Sequence, residues 1–175
     1  GYGEDAVSGT PLFARQIMER NQHNVGTKFN HPSIVIWSLG NETRYSKNFD
    51  EAYDWIKSQD KSRPVQYERA ELKGYATDIF CPMYYPPKAC EKYAQDDSHT
   101  RPLIQCEYNH TMGNSGGNLK EYWDLVRRYP KYQGGFDWDF VDQALHRTPH
   151  FDASRSLADY ERMAKEANVK TQYTY

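Results

Sequence analysis

The sequence predicts an α/β fold built on parallel strands, and three observations carry that prediction. Two short apolar runs, Ile34-Val35-Ile36-Trp37-Ser38-Leu39 and Pro102-Leu103-Ile104-Gln105-Cys106, show no regular polar alternation. Strands buried on both faces, as in parallel sheets, read this way. Both runs lead into a carboxylate, Glu42 and Glu107, and a helical pattern follows each. Along the whole chain the order is helix, strand, helix, strand, strand, helix, strand, helix, strand, helix, an alternation that argues for parallel strands joined by crossover helices.

Taken in order, Thr10-Pro11 reads as a cap followed by proline at the first helical position, so a helix is expected over 12–28. Asn30-His31-Pro32 breaks it, and a strand over 33–39 follows. Asn48 and Glu51 have the spacing of a capping box. Phe49, Ala52, Tyr53 and Ile56 then repeat at helical spacing and predict one buried stripe. After a loop over 60–64, short strands are expected at 65–68 and 78–84, and Pro86-Pro87 forces an extended stretch before a helix over 88–94. A strand runs to Tyr108, and the Gly/Asn-rich segment 112–117 reads as a loop. Asn118 and Glu121 suggest a second cap pair, with Leu119, Tyr122, Trp123 and Val126 as the stripe of a helix that Pro130 stops. Residues 134–141 form a fifth strand candidate, 146–155 a loop, and Ser156 caps a last helix reaching about Ala167.

The 175 residues suffice for one domain with a core, but a complete eight-stranded β/α barrel needs about 250. A net charge of −2 predicts no electrostatic pull toward nucleic acid or an anionic membrane. No apolar run approaches the roughly 20 residues of a membrane span. The N-terminus lacks the basic and apolar regions of a signal peptide, and the compartment stays open between cytoplasmic and periplasmic. Cys81, Cys90 and Cys106 fit no zinc spacing, and Cys81 and Cys106, inside apolar strand-like runs, read as reduced core residues. The 15 tyrosines and 4 tryptophans suit stacking on sugar faces as well as a core.

In a barrel of parallel strands, a functional residue at a strand's C-terminal end points into the active-site face. Two carboxylates on that face are the minimum equipment for glycoside hydrolysis. Glu42 and Glu107 belong to different strands, as opposed catalytic groups do. Asn41 beside Glu42 is a candidate donor to a sugar hydroxyl.

Long ordered segments then carry a family resemblance. Asn30-His31-Pro32-Ser33-Ile34-Val35-Ile36-Trp37-Ser38-Leu39-Gly40-Asn41-Glu42 resembles the acid/base region of glycoside hydrolase family 2, the β-galactosidases of the bacterial lactose-cleaving type. Arg101-Pro102-Leu103-Ile104-Gln105-Cys106-Glu107-Tyr108-Asn109-His110 resembles its nucleophile segment. Arg63-Pro64-Val65-Gln66-Tyr67-Glu68, Thr77-Asp78-Ile79-Phe80-Cys81-Pro82-Met83-Tyr84 and Gly134-Gly135-Phe136-Asp137-Trp138-Asp139 agree. The resemblance covers about residues 12–143, and 144–175 reads as a divergent tail.

The resemblance implies the C-terminal portion of a (β/α)8 TIM barrel, with about five strands present. It implies a retaining hydrolase of terminal β-D-galactosides such as lactose, acting through a covalent galactosyl-enzyme. Glu107 would be the nucleophile, and Glu42 the general acid and then base, also a magnesium ligand. Tyr84 would steady Glu107, His110 would bind sugar hydroxyls, and Trp138 would wall the sugar. Glu42 must then hold its proton near neutral pH while Glu107 stays ionised. Mg2+ and Na+ are the implied ions, at sites this chain leaves incomplete. Other family 2 activities (β-glucuronidase, β-mannosidase) and a non-catalytic barrel fragment are the alternative readings. A truncated barrel would expose strand edges, which predicts a homo-oligomer or association with the missing barrel segments, and leaves turnover by this chain open. Asp137 stands where the family has an apolar residue, so a buried position would demand a partner.

Overall fold

The computed structural model describes residues 6–111, 116–141 and 154–166. Most of the 112–117 loop, the 146–153 part of the second loop, Gln143 and the expected helix end at Ala167 therefore lie outside the described residues. The chain divides into two compact units, Gly1–Asp139 and Phe140–Tyr175.

In the first unit, α1 (Pro11–Lys28) leads to β1 (Trp37–Ser38), then α2 (Lys47–Gln59) and β2 (Val65–Gln66). A 3-10 turn over Glu68–Ala70 follows, then α3 (Pro87–Gln95), β3 (Leu103–Tyr108), α4 (Leu119–Arg128) and β4 (Tyr132–Asp137). In the second unit, α5 (Leu157–Glu166) starts as expected behind Ser156, whose Oγ accepts from the Asp159 N–H at 3.3 Å. Among the described residues, no helix is long and apolar enough to cross a membrane.

The pairing is parallel throughout: β1 with β2, and β3 with β4. The stretch expected as a strand over 78–84 joins the two pairs as isolated bridges. Phe80 pairs with Leu103, and Met83 with Glu107, both parallel. On its other side the Asp78 N–H donates to Val65 O at 2.8 Å. Pro82 has no N–H, which interrupts the ladder, although its carbonyl accepts from Cys106 N at 3.1 Å. The expected strand over 33–39 shortens to two residues for a related reason. Its first part turns, with Ile34 N donating to His31 O, and the ladder with β2 is confined to Trp37 and Ser38, closed by Leu39 N donating to Gln66 O at 3.1 Å.

Helices cover one side of these strands. Val25 of α1 and Phe49, Ala52 and Ile56 of α2 pack on Trp37, Leu39, Val65 and Tyr67. The α2 stripe is thus the one the spacing predicts. Cys90 and Tyr93 of α3 and Tyr122 and Leu125 of α4 pack on Phe80, Leu103 and Tyr132 in a second core. Side chains of this size contribute about 1.5–3 kcal/mol each when fully buried. On the opposite side Ile36, Gln66, Ile79, Cys81, Ile104, Cys106 and Phe136 line one small pocket. The alternation of β3 is visible here: Leu103 and Gln105 face the helices, and Ile104 and Cys106 face the pocket.

Three local expectations are corrected. The capping box does not form, because α2 starts two residues earlier, with Ser46 at the cap position, and the Asn48 amide donates instead to Ser8 O at 2.6 Å and Thr10 O at 3.2 Å. Asn118 takes a left-handed backbone (φ 61) without a side-chain cap bond. In α4 the buried positions are Tyr122 and Leu125, while Leu119 and Trp123 are exposed. The wider tertiary contacts outweigh these short-range signals, each worth about 1 kcal/mol.

Candidate active site

Parallel strands present their C-terminal ends together, and the predicted site residues follow those ends. Glu107 is the fifth residue of β3 and is buried, at 8% exposure. Strict alternation would send it to the same side as Leu103 and Gln105. The ladder, however, slips between Gln105 and Tyr108: three steps along β3 match two along β4, from Gly135 to Asp137. One extra residue on β3 is a bulge, and bulges beside active sites re-aim a side chain. Gln105 keeps its place under the helices, its Nε2 donating to Tyr132 OH at 3.0 Å and its Oε1 accepting from Tyr85 N at 2.7 Å. Glu107 instead accepts the phenol of Tyr84 at Oε2.

Tyr84 is held at both ends. Its backbone N–H donates to Glu107 O at 2.8 Å, and its φ of 54 is left-handed. Partial burial, then the hydrogen bond and charge of Glu107, push its phenol above the ordinary value, with Glu42 adding to the rise. The phenol therefore stays protonated and donates. The His110 ring lies 5.8 Å from the Tyr84 ring, tilted by 60°. Trp138 follows β4, its N–H donating to Tyr108 O at 3.1 Å, and its side chain is 38% exposed.

Glu42 and Asn41 lie on the loop from β1 to α2, and both side chains are exposed. Glu42 also has a left-handed φ, 47. Its backbone N–H donates to the carboxylate of Glu68, at the end of the β2 segment. Burial, the largest influence, raises the proton affinity of Glu68, and the charge of Glu42 adds to this against the opposing backbone bonds and Arg69. Glu68 received no role from the sequence, yet its signal was the same one that marked Glu42 and Glu107: a short apolar strand, Val65-Gln66-Tyr67, ending on a carboxylate.

Asp137 is exposed and accepts from Asn109 Nδ2 at 3.2 Å, so it carries no burial penalty in these residues. The three thiols are free. Burial pushes Cys81 and Cys106 up to about 12 and Cys90 up to about 11, as reduced core residues behave.

Magnesium demands near-octahedral oxygen coordination. Among the described residues no three His, Cys, Asp or Glu side chains gather as a metal site. Glu68, the acidic neighbour of Glu42, already has an oxygen engaged by the Glu42 N–H. These residues by themselves do not fit the ion.

The chain has relatives of known kind. Residues 4–172 match the family described as glycosyl hydrolases family 2, TIM barrel domain. A beta-galactosidase of Pseudoalteromonas haloplanktis is 46% identical over 152 residues, 81% of this chain and 15% of that protein. One from Aeromonas hydrophila is 47% identical over 148 residues, 78% of this chain and 14% of that protein. The chain thus spans about 15% of the length of these curated relatives. A solved b-glucuronidase from Ruminococcus gnavus, in complex with uronic isofagomine, superposes with a TM-score of 0.57 at 19% identity, over 75% of this chain and 30% of that one. At that identity the likeness speaks for the fold alone. The matched family and the two relatives agree with the parallel α/β architecture: this chain belongs to glycosyl hydrolase family 2, to its TIM barrel domain.

Proposed function

We propose that the chain carries the catalytic carboxylates of a retaining β-galactosidase, with Glu107 as nucleophile and Glu42 as acid/base. The observation that carries this reading is the Tyr84 phenol, which donates to Glu107 and feels the charge of Glu42 as well. The two carboxylates stand at or just beyond the ends of separate parallel strands, Glu42 after β1 and Glu107 on β3. The family and the beta-galactosidase relatives support a galactoside as the substrate.

In the first step a Glu107 oxygen attacks the anomeric carbon as the bond to the leaving oxygen breaks. Glu42 gives its proton to that oxygen. The Tyr84 O–H holds Glu107 in one orientation and then passes to the ester carbonyl side of the same group. In the second step Glu42, now a carboxylate, takes a proton from water. That water attacks the anomeric carbon and releases Glu107, so the configuration is retained. Asn41, His110 and Trp138 sit near these ends to bind hydroxyls and one sugar face. A magnesium role for Glu42, or a sodium site, would require ligands from outside the described residues, and no step here passes through either.

The reading includes an incomplete barrel. The free edges of β1 and β4 would then be covered by further barrel strands or by a second copy. A β-glucuronidase reading rests only on the distant fold likeness and is the weaker of the two.

Hydrolysis of an aryl β-D-galactoside, with Glu107→Gln as control, tests the proposal. Turnover that disappears in the control supports it. Turnover equal in the two proteins, or a preference for an aryl glucuronide, sinks it.

A further inference from the structure

We propose that Glu68 is a positioning residue for this reaction: its buried carboxylate holds the backbone N–H of Glu42 and so fixes the acid/base side chain at the leaving oxygen. The inference rests on the reading of Glu42 as acid/base and goes beyond it to what places that side chain.

The loop that bears Glu42 needs such a fixture. Glu42 is not glycine, and its φ of 47 lies in the left-handed region. That conformation is unfavourable for an L-residue and persists only where the surroundings enforce it. Its side chain is exposed, so packing does not hold it. What remains is the backbone, and Glu68 grips it at the strained residue itself.

Glu68 is built to be the fixed partner. It is 8% exposed and opens the 3-10 turn Glu68–Ala70. The turn is closed by Ala70 N to Tyr67 O and Glu71 N to Glu68 O, both 3.1 Å. Tyr67, one residue earlier, is fully buried, stacks on Phe49 at 4.2 Å, and donates its phenol to Thr43 O. The end of β2 therefore holds the Glu42 loop at two adjacent points. Arg69 Nε lies 3.6 Å from Glu68 Oε1 and offsets part of the charge. A carboxylate on a backbone N–H is among the stronger neutral-donor bonds. Glu68 touches no reacting atom in this scheme; it acts through Glu42.

The test compares Glu68→Ala with Glu68→Gln in the whole protein. Glutamine keeps a carbonyl oxygen that can accept the Glu42 N–H, and alanine keeps none. Misplacing a catalytic group by 1 Å costs on the order of 100-fold. Glu68→Ala should therefore lower kcat/KM on a methyl or alkyl galactoside by on the order of 100-fold. On a dinitrophenyl galactoside, whose leaving group needs no proton, the loss should be at most a few-fold. Glu68→Gln should recover most of the alkyl-galactoside rate. Equal losses on both substrates, or no loss, overturn the proposal.

Hydrogen exchange of the peptide spanning 40–46, read by mass spectrometry, supplies a measurement independent of turnover. Exchange there should quicken in Glu68→Ala and return toward the parent in Glu68→Gln. Unchanged exchange in Glu68→Ala overturns the proposal. A parent protein that folds but hydrolyses no galactoside would count against the galactosidase reading, and the exchange result would still decide the role of Glu68.

Discussion

Asp60 is where a single change should cost the fold most, and the cost follows from its contacts. It closes α2, its N–H donating to Ile56 O at 2.8 Å, and it is 4% exposed. Its Oδ2 accepts from Trp37 Nε1 at 2.9 Å and from Arg63 Nη1 at 3.0 Å. Its Oδ1 accepts from Ser62 N at 2.9 Å, Ser62 Oγ at 2.6 Å and Arg63 N at 3.3 Å. The Arg63 guanidinium in turn lies 5.1 Å from the centre of the Trp37 ring. One carboxylate thereby ties the end of α2, the loop into β2 and the buried tryptophan of β1.

Asp60→Ala would orphan the Trp37 indole N–H and leave the Arg63 charge without its partner. Removing one member of a buried pair costs about 3–5 kcal/mol, against a total stability of about 5–15 kcal/mol. Asp60→Asn keeps one acceptor and should cost about 1.5–3 kcal/mol, the worth of a hydrogen bond to a charged group. Urea unfolding followed by tryptophan fluorescence measures both.

The pH dependence has a definite sign. Burial alone would raise the Asp60 proton affinity, but the bonds from Ser62, Trp37 and the Ser62 and Arg63 amides together hold it well below the usual carboxylate range. A group depressed in the folded state contributes fully above its unfolded pKa of about 3.9 and loses that contribution as pH falls through the lower folded value. The gap between the parent and Asp60→Asn should hold constant from neutrality to about pH 5 and narrow below about pH 4. A cost below about 1 kcal/mol for Asp60→Ala, the level of an exposed ion pair, would refute the assignment.

Other outcomes follow from the same contacts. Tyr84→Phe removes the donor to Glu107 and should lower kcat for an aryl galactoside on the order of 100-fold with little change in melting temperature; activity within about two-fold of the parent would dismiss the role. A Cβ at Gly74 would lie 2.6 Å from Ala70 Cα, which is backbone and cannot swing aside, so Gly74→Ala should destabilise by about 1–3 kcal/mol in urea. The thiols of buried Cys81 and Cys90 and of half-buried Cys106, pushed up to between about 11 and 12, should resist a disulfide reagent at pH 8 and react once urea unfolds the chain. Fast reaction of all three in the folded protein would contradict that burial.

Local patterns made some elements legible and left others hidden. The apolar run ending at Tyr108 became β3, and the stripe Phe49, Ala52 and Ile56 faces the core. Both depend on burial, which period and composition encode directly. The Asn48 cap failed because its amide found a tertiary partner, Ser8 O on the 3-10 turn Val7–Gly9 that precedes α1, which no window of neighbouring residues reveals. Leu119 and Trp123 are expected inside and stand exposed, since the helical period marks an apolar face without saying which part of it the second core covers, here Tyr122 and Leu125. Glu107 was legible as a strand-end carboxylate. The bulge that turns it toward Tyr84 was not, since a bulge is a property of two strands in register.

The backbone strain explains why these ends gather function. Among the described residues five non-glycine residues take positive φ, and Glu42, Tyr84 and Asn109 each follow the end of a parallel strand or bridge. Such residues cost about 1–3 kcal/mol each and persist where the surroundings over-determine them. Here the surroundings are visible. Glu68 holds the N–H of Glu42, Glu107 O holds that of Tyr84, and Asp137 holds the side chain of Asn109. In each case a carboxylate residue on the next strand end provides the grip. Glu68 grips the Glu42 backbone with its carboxylate, whereas Glu107 grips the Tyr84 backbone with its own carbonyl and receives the Tyr84 phenol at its carboxylate, so each strained residue and its partner constrain one another. Strand-end placement alone would let these side chains point anywhere above the sheet. The cross-strand grips turn that placement into an arrangement in which Tyr84 meets Glu107 and the backbone of Glu42 is held by Glu68.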